Sequence, residues 1–159
     1  MAVFVGAVLF FRGDRKEPTP TGDTSGLIVG RNAIYVAEQA PSRTVLVAVA
    51  RLEKPGFVVI HEDNAGPLRR SFNEASKPGK ILGTSGVLPA GETKNLTPIA
   101  LSRMTKDGET LYAMLHFDDG DGVFDPSKDK PAIDSISKEP VMMIFTVSTD
   151  ASAPAAVNP

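Results

Sequence analysis

The sequence predicts an all-β fold, an antiparallel immunoglobulin-like β-sandwich of about seven strands. Three observations lead there. Apolar runs of five to ten residues are separated by clusters of Gly, Pro, Asp and Asn, no segment sustains a 3.6-residue apolar period, and no linker carries the crossover helix that a parallel sheet requires. The 14 Gly and 13 Pro among 159 residues supply many turns, yet stay below the share of about 25–30% that marks low-complexity disorder.

Met1 to Phe11 carry no charge, and Arg12, Arg15 and Lys16 follow at once. A bilayer-crossing helix needs about 20 apolar residues, so 1–11 reads as a partial transmembrane anchor. A buried first strand is the competing reading, because Val3, Val5 and Val8 favour β structure. Residues 12–26, with Pro18, Pro20 and small polar side chains, read as a flexible tether. The sandwich domain is assigned to 27–149. Its strands are expected at Leu27–Val36, Thr44–Leu52, Phe57–Glu62, Lys80–Gly83, Asn95–Leu101, Thr110–Phe117 and Val141–Ser148. Alternation is clearest in Thr44–Leu52, where Val45, Val47 and Val49 face one way and Leu46, Ala48 and Ala50 the other. Pro55-Gly56, Pro89-Ala90-Gly91 and Lys106-Asp107-Gly108 are turn signals between strands. Asp63 to Pro78 is expected to be an exposed loop, and 150–159 a disordered tail.

Composition removes several function classes. A formal net charge of −2 gives no field that attracts nucleic acid. The absence of cysteine excludes disulfides, cysteine-ligated metals and thiol nucleophiles. Neither a P-loop nor a dinucleotide-binding glycine pattern occurs. Gly83-Thr84-Ser85-Gly86 lacks the strand–turn–helix setting of a nucleophile elbow.

Chemistry concentrates between His116 and Asp129, where five of the nineteen acidic residues fall within fourteen positions. With Phe117 as position 1 of a calcium loop, Asp119, Asp121, Gly122, Phe124 and Asp125 take positions 3, 5, 6, 8 and 9, and Val123 offers its carbonyl at position 7. Asp119, Asp121, Val123 and Asp125 are therefore candidate ligands for Ca²⁺, the one cofactor suggested. The template departs at position 1, which is Phe117, and at position 12, which is Lys128, so Asp118 or Asp129 would have to stand in. An ordinary Asp/Gly hairpin turn is the competing reading. The two histidines, His61 and His116, each end an apolar strand and open an acidic stretch. If those ends share a rim, His61, His116 and Asp118 form a mixed nitrogen–oxygen metal site; opposite strand polarity would separate them. A strand-end histidine bonded to a backbone carbonyl is the plainer alternative.

The succession Gly56-Phe-Val-Val-Ile-His-Glu-Asp63, Pro78-Gly-Lys-Ile-Leu-Gly-Thr-Ser85, Leu88-Pro-Ala-Gly91, Asp107-Gly-Glu-Thr-Leu-Tyr-Ala-Met-Leu-His116 and Asp119-Gly-Asp-Gly-Val-Phe-Asp-Pro126 resembles domain-of-unknown-function family 7282. The likeness runs from Thr44 to Val147. It implies an uncharacterised β domain of exported or membrane-anchored archaeal and bacterial proteins, and carries over no catalytic residue. The resulting expectation is a non-enzymatic binding or structural module of the cell surface. It would be held to the membrane by the N-terminal anchor, face the extracytoplasmic side, and meet a protein or surface-polymer partner. A small metal-dependent enzyme or metal-binding protein built on the two histidines is the alternative.

Overall fold

The computed structural model describes residues 31–64 and 77–151. Nine antiparallel strands and no helix are found among them: β1 Ala33–Tyr35, β2 Thr44–Val45, β3 Val49–Leu52, β4 Gly56–Asp63, β5 Pro78–Thr84, β6 Gly91–Lys94, β7 Ile99–Ala100, β8 Thr110–Phe117 and β9 Met142–Thr146. They form a four-stranded sheet of order β5-β4-β8-β9, a three-stranded sheet β1-β3-β6 and a small β2-β7 pair, a sandwich-like arrangement. The expected anchor (1–11), the expected tether (12–26), the first residues of the expected domain (27–30), residues 65–76 of the long loop and most of the tail lie outside the described residues.

The β4–β8 pair is the centre of the molecule, with seven consecutive rungs from Gly56↔Phe117 to Glu62↔Leu111. One face of this pair, with Val58, Ile60, Leu111, Ala113 and Leu115, packs against Val45, Ala50, Leu52 and Ile99 of the smaller sheets and Val36 and Val47 of their connections. The opposite face is buried as well, through Phe57, Val59, Tyr112 and Met114. Burial on both faces explains why these two strands are almost continuously apolar in sequence.

Several strand boundaries differ from expectation. Thr44–Leu52 is one apolar run but two strands, since β2 pairs with β7 and β3 pairs with β1 and β6. Between them the Gln39 side chain stands in for a neighbouring strand: its Oε1 accepts from Leu46 N at 2.9 Å, and its Nε2 donates to Leu46 O at 3.3 Å. Asn95–Leu101 is strand only at Ile99–Ala100, because Asn95 takes a left-handed φ of 48° and ends β6. β6 itself (Gly-Glu-Thr-Lys) has no apolar residue, so periodicity does not reveal it; backbone pairing with β3 makes it an edge strand. Of the first expected strand, only Ala33–Tyr35 is strand within the described residues.

Candidate metal centre

Strand parity puts Phe57, Val59 and His61 of β4 on the same face as His116, Met114 and Tyr112 of β8, since these residues are register partners in that order. The two strands are antiparallel, so the acidic stretches that follow the histidines leave from opposite ends of the sheet. The expected separation of the histidines nevertheless does not occur. Four rungs span about 13 Å of backbone, yet the imidazole centroids lie 6.1 Å apart with their planes 21° from parallel. Both side chains lean inward over the Val59–Met114 rung, and the register irregularity beside His61 lies where this lean begins.

Each ring is locked by its backbone neighbour. His61 Nδ1 donates to Gly79 O at 3.0 Å, and His116 Nδ1 donates to Asp129 O at 2.8 Å. A carbonyl only accepts, so each Nδ1 carries a hydrogen, and in the tautomer that has no second hydrogen Nε2 presents a lone pair. Gly79 belongs to β5, on the far side of β4, while Asp129 precedes the Pro131 segment that bridges the far side of β8. Each Nε2 therefore lies on the side of its ring away from its bonded carbonyl. Both Nε2 atoms are buried and have no hydrogen-bond partner; His61 is 8% exposed and His116 6%. Burial pushes the His116 pKa below its ordinary value; the Asp129 carbonyl opposes this, and His61 acts in the same direction as burial. The plain expectation of a carbonyl-bound histidine thus holds at Nδ1 and leaves Nε2 unaccounted for.

Aromatic walls close the pair. Phe124 meets both Phe57 and His116 edge-to-face, with centroids 5.5 Å apart in each case. It is carried by the acidic loop, and that loop is organised by Asp129, a carboxylate only 1% exposed. Asp129 Oδ1 accepts from Asp119 N at 2.9 Å and Oδ2 from Asp125 N at 2.6 Å. The same residue thus holds His116 through its carbonyl and Phe124 through its carboxylate. Nothing in the spacing distinguishes Asp129 from the other four acidic residues of the loop. Met114 was also not singled out by sequence; its burial on the histidine face follows from the β4–β8 register.

The expected calcium ligands are divided. Asp118, Asp119 and Asp121 bring carboxylate oxygens within 4.8 Å of one another. Asp125 instead accepts from the Ser127 N–H and hydroxyl, which hold its carboxyl below the usual range, and Val123 is exposed at the loop tip. Much of the loop's carboxylate capacity is taken by its own backbone: Asp118 accepts from Gly122 N, Asp119 from Asp121 N and Asp121 from Val123 N, with Lys128 beside Asp121. Asp118 groups with these residues. Among the described residues no carboxylate joins the two histidines in a three-ligand cluster.

No curated protein and no solved structure matches the chain. The profile of a domain of unknown function, DUF7282, matches residues 32–148, which takes in every strand from β1 to β9 together with both histidines. The chain therefore belongs to the DUF7282 family.

Proposed function

We propose that this domain is a non-catalytic metal-binding module that takes one ion between His61 and His116. The observation that carries this reading is the pair of buried, unpartnered Nε2 atoms, on rings whose centroids lie 6.1 Å apart on one face of β4 and β8. An unsatisfied buried polar atom is destabilising by about 1–3 kcal/mol, and a metal satisfies two at once. Metal-ligating histidines commonly donate the other ring N–H to a carbonyl, the arrangement of both rings here. A catalytic role is disfavoured because no carboxylate among the described residues groups with the pair and Phe124 packs against the His116 ring. The apolar Met1–Phe11 run and the polar segment after it support a place on the outer side of a membrane.

The test is metal content. Purified full-length chain is stripped, incubated with Cu(I), Zn(II) or Co(II), desalted and analysed by mass spectrometry. One transition-metal ion per chain is expected in wild type and none in His61→Ala/His116→Ala. Retention of no ion by wild type, or of the same ion by the double variant, overturns the reading.

A further inference from the structure

We propose that the ion between His61 and His116 is soft and monovalent, cuprous copper with silver as its probe, and that the Met114 thioether is its third ligand; this rests on the two-histidine reading. Charge argues for a monovalent ion. Both imidazoles are neutral ligands, and Asp129 is the one carboxylate among the buried polar and charged residues described. The desolvation penalty of an ion grows with the square of its charge, so a site with a single buried negative charge beside it balances one positive charge and leaves a divalent ion half uncompensated.

Geometry permits one ion. The two rings lie on the same face of β4 and β8 with centroids 6.1 Å apart, and neither Nε2 has another partner. Two imidazoles and a thioether make a low-coordinate set that suits a d¹⁰ monovalent ion, whereas structural zinc takes four ligands in a tetrahedron.

Donor softness agrees too. The chain has no cysteine, so thioether sulfur is the only sulfur it can offer, and thioethers select Cu(I). Met114 is buried and stands on the rung between those of the two histidines, on their face, opposite the aliphatic Val59. Met143, by contrast, is engaged elsewhere, its sulfur accepting from Val36 N. Phe57 and Phe124 keep the surroundings apolar, which disfavours the hydrated and oxygen-ligated forms that hard cations prefer.

Metal-free full-length chain is titrated with Cu(I) under anaerobic conditions against a coloured Cu(I) chelator, in parallel with Ag(I) and Zn(II), and the X-ray absorption spectrum of the copper form is recorded. One Cu(I) per chain is expected, held at least about 100-fold more tightly than Zn(II), with a shell of two nitrogens and one sulfur, and about tenfold weaker in Met114→Leu. A copper shell without sulfur overturns the third ligand, whatever the behaviour of the variant. Zn(II) bound as tightly through both histidines overturns the monovalent assignment and leaves the two-histidine reading standing. Failure of wild type to retain any of the three ions overturns both.

Discussion

At Gly56 a β-carbon would lie 2.1 Å from the carbonyl oxygen of His116, so only glycine lets β4 lie this close to the backbone that carries the second histidine. The sequence marks Gly56 as half of a Pro-Gly turn; its packing role depends on a partner sixty residues away. Arg103 is a similar case. It donates to Glu62 at 3.2 Å and to both carboxylate oxygens of Glu109, which also accepts from Lys106 N. Burial pushes the Glu109 pKa up, but the bonds from Arg103 and Lys106 outweigh it and hold the carboxyl below its ordinary 4.5. The unfolded chain then takes up this proton first, so the contribution of Glu109 is complete above pH 4.5 and is lost as pH falls through the lower folded value. Arg103→Met should lower stability at pH 7 by about 1–2 kcal/mol, the value for charged hydrogen bonds discounted for partial exposure. It should also flatten the acid limb of the stability profile below pH 4.5. Urea denaturation of both proteins from pH 3 to 7 checks this; parallel acid limbs would remove Glu109 from the account. None of these three partners is adjacent in sequence, so the triad was not legible there.

Among the elements, strand existence was legible wherever side chains alternate on a half-buried surface or run apolar through the core, as in β4, β8 and β9. It failed at β6, where only backbone pairing makes a strand, and at Leu46–Ala48, where Gln39 replaces strand pairing. The acidic loop was legible as composition, but not in how its carboxylates are used. Gly122, at φ 72°, supplies a left-handed turn where the calcium template also wants glycine, so that position does not separate ion from turn. The chain of Asp-to-backbone bonds does favour one outcome: the loop should hold itself. Thermal melts with excess calcium, with magnesium and with chelator are expected to coincide for wild type, whereas Asp121→Ala should lower all three equally by a few degrees, as for a loss of about 1 kcal/mol. A rise of several degrees in calcium alone, abolished by Asp121→Ala, would assign the loop to the ion.

For the whole molecule, a place outside the cell is a proposal that rests on the apolar Met1–Phe11 run and the polar segment after it. The protein should sediment with membranes in its native cell, and protease added to intact cells should release a fragment containing the domain. Recovery in the cytosolic fraction, or protection from external protease, would refute that placement. The sequence by itself determined that the chain is β, that its strands are short and antiparallel, and that chemistry gathers around two histidines and an acidic loop. These properties are written locally, in alternation, turn residues and composition. Only the tertiary structure decided that β4 lies against β8, that the two histidine rings come within 6.1 Å across four rungs, that Met114 shares their face, and that Phe124 and Asp129 hold His116. Strand adjacency and register come from burying two faces of one sheet at once, a balance among residues far apart in the chain that no local pattern contains.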